Sequence, residues 1–191
     1  PNNGPNKNLK KDLNNENVGL VPPQNIQAEE VVLGGILLDP DAIGRIADLI
    51  KPESFYLNAH QEIYRTALML HSQGKPTDLT SMSAWLADNG SLEKIGGNNK
   101  LVELVENVSS TASIEQVSNL ISDKFIRRQL IKSGNEVIKL GFDQSQNTNE
   151  VLDKAEQKIF EISQEKPSKG LTQAAEILTS TFNEIESRSL G

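Results

Sequence analysis

The stretch from 114 to 140 constrains this chain more than any other. Ser113 followed by Gln116 is a capping box, which satisfies amides that a helix start leaves open. Behind it the apolar residues come in adjacent pairs: Leu120/Ile121, Phe125/Ile126, Leu130/Ile131 and Val137/Ile138. Gly141 is the expected stop. Adjacent helical positions point about 100° apart, so this helix buries two faces, not the single stripe of an ordinary surface helix. A second box, Asn147 with Glu150, opens VLDKAEQKIFEI after the polar connection GFDQSQ. Two helices so joined fold back as an antiparallel hairpin. One face of the long helix meets its mate, and the other is expected to meet a second molecule.

The rest of the chain reads in the same way. Asn25 is a plausible N-cap for QAEEVVLGGILL, with Glu29 and Glu30 where the helix dipole favours acids. Asp39-Pro40 reads as a cap and first helical position for DAIGRIADLI, which Lys51-Pro52 ends. Asn58 is expected to cap AHQEIYRTALMLHSQ, and Gly74 to close it. Pro76 and Asp78 start LTSMSAWLADN, closed by Gly90. Gly96-Gly97 precede NNKLVELVENV. No segment alternates with period two for long enough to form a sheet, so the expected fold is all-α. The expected organisation is a flexible tail (1–24), a globular helical subdomain (25–108), the hairpin (109–164), and a linker with a separate linker helix (165–191). Each glycine of the Gly34-Gly35 pair costs a helix about 1 kcal/mol against Ala, which close helix approach would compensate.

Function is narrowed first by what is missing. There is no cysteine, which excludes disulfides, thiolate metal sites and thiol catalysis. A phosphate-cradling P-loop needs GxxxxGK[ST]; the nearest string, Gly74-Lys75-Pro76, places a proline where the hydroxyl belongs. Gly96-Gly97 before a helix is a weak anion signal, and a turn is its plain reading. His60 and His71 are the only histidines, flank or end a helix, and read as surface or packing residues. No nucleophile constellation is visible. No catalytic, cofactor or metal site is therefore expected. No apolar run approaches the roughly 18 residues that span a bilayer. The chain begins with Pro and its ending, SRSLG, reads as a cut, so a piece of a longer chain is expected.

What remains points to partners. Lys124, Arg127, Arg128 and Lys132 lie near one face of the long helix. Read as a DNA-binding face they form the alternative hypothesis, against which stands the net charge of −7, since cations supply most non-specific DNA affinity. The segment 171–188 follows a linker and carries an apolar stripe that includes Ile177, Leu178, Phe182 and Ile185. A lone helix this short is marginal in water, so it needs a docking surface. For protein contacts the candidates are Ile131 and Val137 as apolar anchors, with Lys100 and Arg128 as polar ones.

These residues also carry a resemblance. PPQNIQAEEVVLGGILLDPDAI, FYLNAHQEIY, GKPTDLTSMSAWLADNGSLEKIGG, RRQLI and LDKAEQKIFEI occur in order over about residues 22–163. Together they resemble the N-terminal domain of the DnaB family, the replicative DNA helicases of bacteria and plastids. The segment Ser109–Ile114 and the pair Asn99-Lys100 depart from the family pattern. The resemblance implies a hexameric ring whose C-terminal RecA-like motor, absent here, uses ATP and Mg. This chain would be its N-terminal collar and would contain no enzyme activity. It would pair with sister subunits, recruit primase through primase's C-terminal helical domain, and meet DNA only through the full hexamer. The last helix would dock on a neighbouring motor. The implied location is the cytoplasm, at the replisome, or the plastid stroma, with no membrane contact.

Overall fold

In the computed structural model, residues 20–108 and 113–164 are described, and they form seven α-helices with two short 3₁₀ turns and no strand. The expectations for the tail before residue 20, for 109–112, and for the linker and last helix at 165–191 lie outside the described residues. The fold is all-α, as the periodicity predicts.

Helix α1, Ile26–Leu38, runs through the centre of the globular body, with Val32, Leu33 and Ile36 at 1 % exposure or less. Asn25 caps it, its Oδ1 accepting from the Ala28 amide at 3.0 Å. Around it pack α2 (Ala42–Ile46), α3 (Asn58–Ser72), α4 (Leu79–Asp88) and α5 (Gly97–Glu106). The body buries Ile43, Ile46, Phe55, Ile63, Tyr64, Met82, Leu86, Leu101 and Leu104 in one cluster. The first half of the long helix α6, Ile114–Phe142, adds Val117 and Ile121 to it. Helix α7, Thr148–Gln164, packs on the second half of α6 outside this body.

Gly34 explains how α1 and α5 cross so closely. A Cβ on this residue would lie 2.2 Å from the Leu104 carbonyl oxygen and 2.4 Å from Val108 Cγ2. The expected close approach is therefore present, and it is backbone against backbone.

Three element boundaries differ from the sequence expectation. Asp39 ends α1 and turns its Oδ1 to the Asp41 amide, so the next helix begins only at Ala42 and lasts five residues. Ile50 must turn back into the core, and Lys51 before Pro52 is held extended; the ten-residue helix expected over DAIGRIADLI is broken for that reason. Asn58 is the first residue of α3, whose N-cap position is Leu57 without a side-chain bond. Gly141 does not stop α6. The helix continues to Phe142, and Asp143 makes the turn by accepting from the Ser145 amide and hydroxyl and from Gln146.

Candidate partner-docking face

The hairpin forms where local capping places it. Ser113 Oγ accepts from the Gln116 amide at 3.2 Å, and Asn147 Oδ1 from the Glu150 amide at 3.0 Å. Between them the connection 143–147 reverses the chain. Glu136 of α6 meets Lys158 of α7 at 2.6 Å, a register that makes the two helices antiparallel. The Lys158 hydrogen bond holds the Glu136 carboxyl below its ordinary pKa, and Glu136 in turn raises Lys158.

The two faces of α6 have different fates along its length. In the near half one member of each apolar pair is buried in the chain's own core: Ile121 is 1 % exposed while Leu120 is 50 %, and Phe125 is buried. In the far half both members of a pair face outward. Leu130, Ile131 and Ile138 are exposed, and on α7 so are Leu152, Ile159 and Phe160, the last at 62 %. An open apolar groove of about 620 Å³ runs between the two helices, lined by Val137, Ala155, Ile159 and Phe160, with Gly134 as its flat floor. Large apolar side chains concentrated in this way form an exposed patch of the kind that interaction sites commonly present.

The expected site residues do not all gather on this face. Ile131 lies exposed on the far half of α6 and Val137 lines the groove. Lys100 lies on α5, in the globular body and not on the hairpin. Its Nζ donates to Glu30 at 3.0 Å and to Glu103 at 3.2 Å. Burial alone lowers its pKa, but these carboxylates outweigh that and leave it above the ordinary lysine value. Arg128 also turns inward. Its Nη1 donates to the Pro23 carbonyl at 2.8 Å and its Nη2 to the Ser54 carbonyl at 2.6 Å, with the rings of Tyr56 and Phe125 beside it. Burial pulls its pKa below the ordinary arginine value, against the pull of Glu29 and Tyr56. The linker-helix positions Ile177, Leu178, Phe182 and Ile185 lie outside the described residues.

The basic row does not present four cations to a nucleic acid. Arg127 donates to Asp123 at 3.0 Å, and Lys124 lies 3.8 Å from the same carboxylate. Arg128 spends its donors on backbone carbonyls. Among the described residues no group of His, Asp or Glu is arranged to hold a metal, and no helix is long and apolar enough to cross a membrane.

Sequence reasoning missed one buried polar pair. Glu29 and His60 are both almost fully buried; His60 Nδ1 lies 2.8 Å from Glu29 Oε2, and Glu29 Oε1 accepts from the Tyr56 amide at 2.7 Å. The helical register of His60 with Tyr64 and Ala67, both core residues, was the available signal that it points inward.

A family model described as the DnaB-like helicase N terminal domain matches residues 21–123. The replicative DNA helicase DnaB of Nostoc sp. is 52 % identical over 171 residues, which cover 90 % of this chain and 20 % of that protein. The DnaB of Synechocystis sp. is 47 % identical over 166 residues, covering 87 % of this chain and 19 % of that protein. The chain thus spans about a fifth of the length of these relatives. The crystal structure of the N-terminal domain of DnaB helicase from Mycobacterium tuberculosis aligns with a TM-score of 0.70 at 34 % identity, covering 74 % of this chain and 99 % of that one. A DnaB-like replicative helicase, studied with its interactions with primase, aligns with a TM-score of 0.61 at 28 % identity, covering 82 % of this chain and 35 % of that one.

Proposed function

This chain belongs to the family of DnaB-like helicase N-terminal domains, and on that premise we propose that it is the collar of a hexameric, ATP-dependent replicative DNA helicase. It mediates subunit assembly and recruits primase through primase's C-terminal helical domain. It performs no catalysis itself; ATP and Mg belong to a C-terminal motor, and DNA is met only through the whole hexamer. The working units are the tail (1–24), the globular subdomain (25–108), the hairpin (109–164) and the linker with its helix (165–191), whose Ile177, Leu178, Phe182 and Ile185 dock on a neighbouring motor. The site of action is the replisome, in the cytoplasm or the plastid stroma.

The observation that carries this reading is the apolar far half of the hairpin. Ile131, Ile138, Ile159 and Phe160 are exposed there around an open groove, a surface that this chain does not cover with its own described residues. Ile131 and Val137 are its anchors. Arg128 supports the contact from the base of the hairpin, where it bonds the Pro23 and Ser54 carbonyls; Lys100, bonded to Glu30 and Glu103, is a polar candidate on the globular body away from this face.

The test is the native mass of the chain, alone and mixed with the C-terminal helical domain of its cognate primase. Wild type is expected to self-associate and to gain mass with primase. Ile131→Asp is expected to keep its helical circular dichroism and lose the self-association. Unchanged assembly and unchanged primase binding in Ile131→Asp would sink the assignment of this face. A monomer that ignores primase would sink the docking role for the chain as it stands.

A further inference from the structure

We infer that Arg128 is a strut that fixes the angle at which the hairpin leaves the globular body, so that it acts on assembly by positioning the hairpin and not by touching a partner. Arg128 stands at the boundary between the two halves of α6. The buried residues Val117, Ile121 and Phe125 precede it. After it, Leu130 and Ile131 are exposed and α7 is the element that α6 packs on.

The geometry of the guanidinium suits a strut. It is planar and forked, and its two terminal nitrogens reach carbonyls that lie far apart in sequence. One bond goes to Pro23, 105 residues away, in the segment that leads into α1. The other goes to Ser54, 74 residues away, at the end of the 3₁₀ turn Pro52–Ser54. The ring of Phe125, one helical turn back, and the ring of Tyr56 lie 5.8 and 5.7 Å from its central carbon. Tyr56 is in turn held by its amide bond to Glu29, which also holds His60. One side chain on α6 therefore ties together the segment before α1, the turn before α3 and the buried Glu29–His60 pair. Charge-assisted bonds of this kind are stronger than neutral ones, and a fork fixes direction as well as distance.

The lever it controls is long. Residues 129–142 make about 21 Å of helix at roughly 1.5 Å per residue, so a swing of about 20° at the base moves the tip by about 7 Å. A docking face displaced by that much no longer meets the same partner surface. The neighbouring Arg127 offers the contrast, because its bond to Asp123 stays within α6 and crosses to no other element.

The chain has no cysteine, so labels can be placed at will. A donor–acceptor pair at Gln144→Cys, at the hairpin tip, and Gln73→Cys, at the end of α3, reports the hairpin angle. A second pair at Gln73→Cys and Lys94→Cys reports the globular body alone. Single-molecule FRET at concentrations where the chain is monomeric keeps partner contacts out of both readings. Arg128→Gln is expected to broaden or shift the tip distribution and to leave the body pair at its wild-type efficiency, whereas Arg127→Gln is expected to change neither. A wild-type tip distribution in Arg128→Gln overturns the inference. So does broadening of both pairs together, because Arg128 would then be holding the fold and not an angle. The effect on assembly rests on the proposed function: failure of the hairpin face to assemble, tested by mass, removes that effect and overturns the proposed function, whereas the fixed hairpin angle is judged by the FRET pairs alone.

Discussion

The near and far halves of α6 are one continuous helix with one kind of apolar pattern, yet they do different work. From 117 to 125 the helix lies against the body, with Val117 and Ile121 in its core cluster and Phe125 also buried. From 130 to 142 its apolar residues are largely exposed, and α7 is the helix that it packs on. The same residue types are buried in the fold in the first half and stand exposed in the second. What distinguishes them is whether the globular body, among the described residues, reaches that far.

The contrast is open to direct attack. The largest effect is expected where the body is braced. Glu29→Ala strips the acceptor from the half-buried Tyr56 amide and from the buried His60 Nδ1; two polar groups left unpaired at about 1–3 kcal/mol each give a loss of about 4 kcal/mol, read as a lower midpoint in urea. Ile121→Ala in the near half is expected to cost about 3 kcal/mol, while Ile138→Ala in the far half costs about 0.5 kcal/mol or less. Equal losses for the two isoleucines in chemical denaturation would erase the distinction between the halves.

Smaller changes sharpen it. Gly34→Ala brings a Cβ against the Leu104 carbonyl, which no rotamer change relieves. The clash outweighs the helix-propensity gain of about 1 kcal/mol, for a net loss of about 2 kcal/mol in thermal unfolding. The smallest effect concerns pH. The Glu136 pKa is lowered in the folded hairpin by Lys158, so its contribution is present above the unfolded carboxylate pKa and fades as pH falls through the folded value. Glu136 is only half-buried and its pair with Lys158 is open to solvent, so the loss is slight. The protection of α7 amides relative to their intrinsic exchange rate is expected to fall more on acidification in wild type than in Glu136→Gln; equal pH profiles would assign the pair no role.

What the sequence revealed about these halves follows the range of the interactions involved. The caps at Asn25, Asp78, Ser113 and Asn147 were legible because each side chain bonds an amide three residues away. The all-α class and the hairpin were legible for the same reason of locality. Asp39, Asn58 and Gly141 misled, because the needs of packing on the body and the Asp143 turn decide those boundaries. The apolar pairing that singles out Ile131 and Val137 is likewise a helical pattern, and the structure leaves Ile131 exposed and Val137 lining the groove. The inward turn of Arg128, the Lys100–Glu30 pair and the burial of Glu29 with His60 depend on partners between 27 and 105 residues away. A basic residue with a carbonyl partner so distant looks the same in sequence as one facing water.

The crossing at Gly34 has a consequence of another kind. Where helices are spaced by side chains, every substitution between them shifts the gap a little, and the spacing drifts as a lineage exchanges one apolar residue for another. Here the gap between α1 and α5 is set by a peptide oxygen against a residue without a Cβ. Position 34 is therefore the gauge of the crossing: any side chain placed there meets that oxygen, and the Val108 methyl beside it, and the two helices must part to admit it.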